Sequence, residues 1–134
     1  MIDNRLKELC RKRLKKSRTE YSAAIVNKDA GFYEVANTRA YYAAFHAVRA
    51  ILALDNVEFK KHSQVIGYFN KNYINTNIID RSLGAILANA SVSRNNSDYD
   101  DFYEADLEEA EGNIKNVYIL LKIIEKHVME KLGG

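Results

Sequence analysis

The sequence predicts an all-α protein, an antiparallel up-and-down bundle of four main helices with one short linker helix. Three observations lead to this prediction. The chain has no proline and only six glycines, so it lacks most of the turn residues that a many-stranded fold needs. Apolar residues recur at steps of three and four, the spacing of one helix face. A length of 134 residues fits one core, so residues 1–134 are predicted to form a single domain.

The first helix is predicted over residues 6–25. Asp3 or Asn4 can cap its N-terminus, and the run 27–31 ends it because Asp and Gly favour turns. Residues 5–18 are strongly basic, and we expect this cluster to be a solvated helix face. The apolar face is formed by Leu6, Leu9, Cys10, Leu14, Ser17, Tyr21, Ala24 and Ile25.

The second helix begins near Phe32 and has apolar residues on two roughly opposite sides. Such a helix must be covered on both sides. A small domain has room for one such central helix, and its second stripe can instead meet a second copy of the chain, so we predict a homodimer. One stripe consists of Phe32, Ala36, Ala43, Ala47, Ala50 and Leu54, and the other of Tyr41, Phe45, Val48 and Leu52.

Three further helices complete the prediction. Ser63 is the predicted N-cap of the linker helix. The next helix is predicted to begin between residues 77 and 80, and the polar segment 91–103 then forms a kink or turn. The last helix carries apolar residues at steps of three and four over residues 107–128. Acidic residues lie at its start and lysines in its second half, as the helix dipole prefers.

The composition excludes several classes of protein. The lone Cys10 provides no disulfide or paired-cysteine metal site, suits a reducing cytoplasm and is expected to be a small core residue. No stretch approaches the roughly 20 apolar residues that cross a bilayer, and the N-terminus is too charged for a signal peptide. We therefore predict a cytoplasmic protein without a membrane segment. The three histidines share no ligand spacing, so no metal is predicted. No glycine-rich phosphate loop is present, and no other cofactor is predicted.

The polar segment after residue 90 contains the strongest candidate for chemistry. Arg94 continues an apolar helix face by one turn and therefore needs a partner. Two interpretations remain open. Arg94 can stabilise the helix end and pair with Asp98 one turn later, or it can bind a phosphate or a scissile phosphodiester through its fork of donors. Asn95 and Tyr99 add further polar groups, and Tyr103 lies one turn beyond Tyr99.

Three segments together resemble the HEPN family. They are RAYYAAFHAVRAILAL at 39–54, KKHSQVIGYF at 60–69 and SRNNSDYDDFY at 93–103, which occur in the same order as in the family. The chain is most similar to small prokaryotic HEPN proteins that are often encoded beside a minimal nucleotidyltransferase. The resemblance covers nearly the whole chain and implies a dimeric bundle of four or five helices, in which two arginine motifs meet in a shared cleft.

The resemblance also implies an activity. In active members an arginine, a polar residue and, a few positions later, a histidine cleave RNA without a metal ion. Arg94 and Asn95 match the first half of this pattern, and Tyr99 stands where the closest spacing would place the histidine. A tyrosine with a pKa of about 10 is a poor general base at neutral pH, whereas histidine titrates near 6.5. Asp98 or His46 are alternative groups for proton transfer.

From the resemblance we expect a HEPN-type component of a toxin–antitoxin-like pair, acting on RNA as a metal-independent ribonuclease. The expected catalytic residues are Arg94, Asn95, Asp98 and Tyr99, and the expected RNA-binding or nucleotide-binding residues are Arg39, His46, His62 and Tyr103. The expected antitoxin is a nucleotidyltransferase, which in related pairs adds nucleotide to a motif tyrosine. Tyr99 and Tyr103 are the candidate acceptors. The alternatives are a non-catalytic HEPN module that binds nucleotide or a partner nucleotidyltransferase, and a purely structural dimerisation module.

Overall fold

A computed structural model describes residues 2–133, which form five α-helices and no strand. The helices are α1 (Asn4–Asp29), α2 (Tyr33–Leu54), α3 (His62–Phe69), α4 (Gly84–Tyr99) and α5 (Leu107–Lys131). A π-helical turn, Asn70–Ile74, extends α3, and a 3-10 turn, Arg81–Leu83, leads into α4. The predicted all-α bundle of four long helices and one short helix is confirmed.

The contacts between α1 and α2 show that these helices are antiparallel and closely packed. Cys10 Sγ donates to the Ala50 carbonyl at 3.4 Å, and Ser17 Oγ donates to the Ala43 carbonyl at 2.6 Å. Small residues on α2 allow this close packing of the two helices, because short side chains leave little space between the backbones. Cys10 is fully buried, as predicted for the single thiol.

Helix α2 lies at the centre and packs against α1, α3, α4 and α5. Both of its apolar stripes are buried within one chain; Tyr41 and Phe45, for example, are at most 5% exposed. The second stripe therefore needs no second copy to cover it. Phe32 departs from the prediction, because it is 61% exposed. It precedes the first residue of α2 and so does not follow the direction of the helical stripe.

The segment from the end of α2 to the end of α4 differs from the sequence prediction in three places. Helix α3 begins at His62 after Lys61, without a side-chain cap, so Ser63 lies inside the first turn. Asp80 caps the 3-10 turn by accepting from the Ser82 amide at 2.9 Å, which delays the start of α4 to Gly84. The predicted kink after residue 90 is also wrong, since α4 continues to Tyr99.

Hydrogen bonds to neighbouring helices explain why the polar end of α4 remains helical. Ser97 accepts from Asn37 Nδ2 at 3.4 Å, and Asp98 Oδ1 accepts from Thr38 Oγ1 at 2.5 Å. These side chains would otherwise compete for the backbone of their own helix. Their partners on the first turns of α2 also show that α4 runs antiparallel to α2.

Side-chain caps begin the two longest helices, α1 and α5, and Asp3 is the predicted cap of α1. Asp3 Oδ1 accepts from the Leu6 amide at 2.9 Å, and Asp106 Oδ1 accepts from the Glu109 amide at 2.8 Å.

In residues 2–133, no helix combines the length and apolar character required to cross a membrane.

Arg13 is an exception to the predicted solvated face of α1. It is 6% exposed, donates to the Arg49 carbonyl at 2.9 Å and forms an ion pair with Glu58 at 3.0 Å. This arginine therefore connects α1 to the end of α2 and the segment that follows it.

Candidate functional site

Arg94 lies on the second half of α4, where it faces the first half of α2. Its Nη2 donates to the Tyr42 hydroxyl at 2.9 Å and to the Tyr99 hydroxyl at 3.3 Å. Its Nη1 donates to Asn95 Oδ1 at 3.2 Å. Nε lies 3.0 Å from Asp98 Oδ2 in an ion pair without hydrogen-bond geometry. We call Arg94 and these four partners the Arg94 cluster.

Aromatic rings surround the Arg94 guanidinium. Its Cζ lies 5.7 Å from the Tyr41 ring centroid, 5.4 Å from that of Tyr42 and 5.2 Å from that of Tyr99. Each contact is a cation–π interaction, because the ring face carries partial negative charge. Burial opposes ionisation, but the three tyrosines and Asp98 together raise the pKa of Arg94. Arg94 is therefore a fixed cation at the surface of a single chain.

The predicted pairing of Arg94 with Asp98 is present, and it leaves the arginine available to a ligand. Asp98 is held from its other oxygen by Thr38, so it positions the guanidinium. A guanidinium has five N–H donors. One Nη1 hydrogen has no partner in residues 2–133, and the Asn95 and Tyr99 contacts involve exposed side chains that a ligand can displace.

His62 lies next to the Arg94 cluster, although it comes from α3. Its Nδ1 is 3.0 Å from the Tyr41 hydroxyl, and its ring stacks on Phe45 at a centroid distance of 4.1 Å. The Tyr41 and Tyr42 rings are each 6.0 Å from the His62 ring. Burial first, and then Arg94 and Arg49, lower the pKa of His62. Its Nε2 makes no hydrogen bond within residues 2–133.

The other candidate residues divide into two groups. Arg39 pairs with Glu20 on α1 at 2.7 Å, and its Cζ lies 5.3 Å from the Tyr42 ring centroid. The His46 ring lies 6.2 Å from the same ring. Both therefore border the Arg94 cluster through Tyr42. Tyr103 does not join it, because its hydroxyl donates to Glu109 on α5.

His46 is the most strongly perturbed histidine. Burial is the main cause, and the charges of Arg49 and Lys16 add to it, so that the pKa falls to about 4. Its Nδ1 is buried and has no hydrogen-bond partner among residues 2–133. Within the same residues, no three histidine, cysteine, aspartate or glutamate side chains come together as metal ligands.

Three residues of this region were not predicted to be functional. Tyr41 is predicted only as part of an apolar stripe. Neither Tyr42 nor Thr38 belongs to a predicted stripe or to a predicted site. The available signal was the pair of adjacent tyrosines on the helix predicted to be central. To predict from these tyrosines that they contact Arg94, one must know the register in which α2 and α4 pack. Periodicity alone does not give that register.

Comparisons with known proteins show to which family this chain is similar. A family model described as "HEPN domain" matches residues 10–127. A Methanocaldococcus jannaschii protein named "Putative toxin MJ0142" is 31% identical over 131 residues, which cover 98% of this chain and 89% of that protein. A second protein of that organism, "Putative toxin MJ0605", is 33% identical over 111 residues, which cover 83% of this chain and 82% of the relative.

The fold also matches a solved structure. The crystal structure of an archaeal HEPN homologue has a TM-score of 0.69 to this chain at 17% sequence identity. The match covers 89% of this chain and 97% of the homologue, so the two proteins share the same fold.

Proposed function

Because this chain belongs to the HEPN domain family, we propose that it is a toxin-like protein that cleaves RNA without a metal ion in a cleft shared by two copies around Arg94. One observation carries the proposal. Arg94 and His62 contact the same two tyrosine rings, so a phosphate-binding cation and a neutral histidine border one surface. The names of the two M. jannaschii relatives support the toxin-like role.

Each of the two side chains has a defined role in the proposed reaction. His62 Nε2 accepts the proton of a ribose 2′-hydroxyl, whose oxygen bonds to the adjacent phosphorus while the bond to the 5′-oxygen breaks. The leaving oxygen takes a proton from water. Arg94 stabilises the negative charge that develops on the non-bridging phosphate oxygens, which suits its fork of donors.

Tyr41 supports the role of His62. Burial raises the pKa of Tyr41 to about 12, so its hydroxyl keeps its proton at neutral pH. When this oxygen accepts a hydrogen bond from Nδ1–H of His62, Nε2 is left as the acceptor that a general base requires. His62 thus supplies the base that Tyr99 cannot supply at the motif position.

A second copy of the chain is part of the proposal. Large apolar side chains in the second half of α4 and in the turn after it are open to solvent: Val92 is 59%, Tyr99 70% and Phe102 95% exposed. Val92 and Tyr99 are seven residues apart and lie on one face of α4, and exposed apolar faces mark interaction surfaces. Two such surfaces facing each other would bring two Arg94 clusters into one cleft.

The decisive experiment compares RNA cleavage and growth on expression of three variants. Arg94→Gln is expected to abolish both cleavage and growth arrest. His62→Gln is expected to lower the cleavage rate by about 100- to 10,000-fold, the usual contribution of a general base. His127→Gln is the matched control, because this half-buried histidine lies on α5.

Two results would contradict the proposal. If cells expressing the wild type grow normally and its purified form leaves RNA intact, the ribonuclease function is wrong. If His62→Gln cleaves as fast as His127→Gln, the assignment of His62 as the base is wrong.

The exposed position of Tyr99 favours the alternative, in which a partner nucleotidyltransferase acts on this protein. Its side chain is 70% exposed, and its hydroxyl contacts only Arg94 among residues 2–133. The Tyr103 hydroxyl is instead held by Glu109, and burial and that carboxylate raise the pKa of Tyr103. We therefore favour Tyr99 as the acceptor. Its oxygen would bond to the α-phosphorus of ATP, with loss of the phenolic proton and release of pyrophosphate.

Intact mass after incubation with ATP and a nucleotidyltransferase encoded beside the gene tests this alternative. The wild type and Tyr103→Phe are expected to gain the mass of a nucleoside monophosphate, and Tyr99→Phe is expected to gain none. An unchanged mass of the wild type would remove this function.

A further inference from the structure

A groove of about 520 Å³ lies between α1 and α2, apart from the Arg94 cluster. We call it the basic groove. It is lined by Lys12, Lys15, Lys16, Thr19, Glu20 and His46. The four α1 residues from Lys12 to Thr19 follow one another along about two helical turns, so they form a continuous wall.

The positive charge of the basic groove is largely unpaired. Within residues 2–133, no carboxylate lies within 4 Å of the Lys15 or Lys16 ammonium group. Lys12 has only a 3.6 Å contact with Glu8, with both side chains at least 68% exposed. The groove's own carboxylate, Glu20, is already paired with Arg39 at 2.7 Å. A negatively charged ligand would therefore meet three available ammonium groups.

His46 adds a polar group to this groove. Its Nδ1 is buried and has no hydrogen-bond partner in residues 2–133, although buried polar atoms are almost always paired. The half-exposed His46 ring can still offer a groove ligand its other nitrogen, Nε2, without adding to the local positive charge. A ring nitrogen beside unpaired lysines favours a ligand that carries both phosphates and hydroxyl groups.

The basic groove is connected to the Arg94 cluster through Tyr42. The Tyr42 ring centroid is 5.3 Å from Arg39 Cζ and 5.4 Å from Arg94 Cζ. The same ring is 6.2 Å from the ring of His46. A chain molecule bound in the groove therefore has a short path, past Arg39 and Tyr42, to Arg94.

We propose that the basic groove binds the sugar–phosphate backbone of a single-stranded RNA whose cleaved bond lies at Arg94. The lysines contact phosphates, and His46 bonds to a ribose hydroxyl or a base edge. The identity of the ligand rests on the proposed ribonuclease function. RNA is favoured over an acidic protein because protein interfaces centre on aromatic and apolar anchors and are poor in lysine. None of the exposed large apolar residues lines this groove.

Binding can be measured without cleavage in the Arg94→Gln background, by fluorescence anisotropy of a fluorescein-labelled oligouridine. The groove variant is Lys12→Gln/Lys15→Gln/Lys16→Gln. The control is Lys115→Gln/Lys122→Gln/Lys126→Gln, which removes the same charge from exposed positions on α5. We expect the groove variant to bind at least about tenfold more weakly. The slope of log Kd against log salt concentration should also be smaller by about 2, since each of the three lost phosphate contacts contributes about 0.7.

The control variant is expected to bind like its parent. Equal losses in the groove and control variants would overturn the proposal, because only net charge would then matter. An unchanged affinity of the groove variant would overturn it as well. So would binding of an acidic polypeptide, such as polyglutamate, to a protein that does not bind the oligouridine.

His46→Leu tests the uncharged part of the site. It is expected to weaken binding several-fold while the salt dependence stays that of the parent, since no phosphate contact is lost. An unchanged affinity would contradict the role of His46.

These measurements separate this inference from the ribonuclease proposal. If the wild type cleaves no RNA but the groove variant alone loses binding, the groove assignment holds and the activity is wrong. If a groove variant with intact Arg94 cleaves RNA with the wild-type KM, the activity holds and the groove assignment is wrong.

Discussion

His46 shows how the position of one side chain determines its response to acid. Its ordinary pKa of 6.5 falls to about 4 in the folded chain, because burial and nearby cations disfavour the protonated ring. Above pH 6.5 the ring is neutral in both the folded and unfolded states. Between pH 6.5 and about 4 the unfolded chain binds a proton that the folded chain does not, so the free energy of unfolding decreases as the pH falls.

We predict that His46→Gln reduces this loss of stability in acid. Urea unfolding at neutral pH and near pH 5 measures the difference for the wild type and the variant. His62 and His127 also have pKa values lowered by burial, so part of the acid sensitivity is expected to remain. A variant that loses as much stability as the wild type would contradict the predicted role of His46.

At the same scale, the sequence was informative where partners are close along the chain. The Arg94–Asp98 pair follows directly from i, i+4 spacing on a helix. The approach of His62 does not, since it depends on how the α3 segment packs against the first half of α2. Tyr42 was missed for the same reason: its hydroxyl bonds to a residue 52 positions away.

At the scale of the helices, an N-cap is a single residue that stabilises the start of a whole helix. Asp106→Ala removes the side chain that accepts from the Glu109 amide, and we predict a loss of about 0.5–2 kcal/mol in the free energy of unfolding. Chemical unfolding compared with Asp101→Ala, an exposed aspartate outside the helix, measures this effect. Equal stabilities of the two variants would show that α5 does not depend on this cap.

Asn37 connects three helices through one buried amide. It donates to Ser97 on α4 at 3.4 Å and accepts from Asn113 Nδ2 on α5 at 2.9 Å, and it is 1% exposed. We predict that Asn37→Ala lowers the free energy of unfolding by about 1–3 kcal/mol, because it removes a buried amide and leaves the half-buried Asn113 side chain without its partner. Asn116→Ala, an exposed site on α5, is the control and should change stability little.

Helix positions were predicted well where the amphipathic pattern is long. The periodic apolar stripes indicated α1, α2 and α5, whose buried faces determine their position. The end of α4 was wrong because its turn-like residues pair with side chains on other helices, and local propensity contains no such information. The linker helix was found, but its first residue was not, since no side chain caps it.

At the scale of the whole molecule, the proposed dimer depends on the exposed surface next to Arg94. We predict that Phe102→Asp converts a wild-type dimer into a monomer in analytical ultracentrifugation, because a charge at the centre of an apolar interface opposes its burial. The folded monomer should retain the helical content of the wild type. Ile78→Asp is the control, since this residue is 54% exposed and lies near the opposite end of α2.

A monomeric wild type at micromolar concentration would remove the shared cleft from the proposal. A dimer that persists in Phe102→Asp would place the interface elsewhere on the bundle. In either case the buried stripes of α2 would remain as they are, because they are covered within one chain.

Charge is unevenly distributed over the molecule. Residues 4–18 contain eight basic residues and one acidic residue, although the whole chain has a net charge of only +2. The composition alone therefore gave no indication of a binding surface. The fold concentrates part of this charge in the basic groove, where a flexible anion can reach several cations at once.

The ring of tyrosines around Arg94 also gives the protein a built-in optical probe. The chain contains nine tyrosines and no tryptophan, so its ultraviolet emission comes from phenol rings alone. Three of those rings contact the Arg94 guanidinium, and two of their hydroxyls accept hydrogen bonds from it. A molecule that draws the guanidinium away from them would change the native fluorescence, and occupancy of this surface could be followed with no dye attached to either partner.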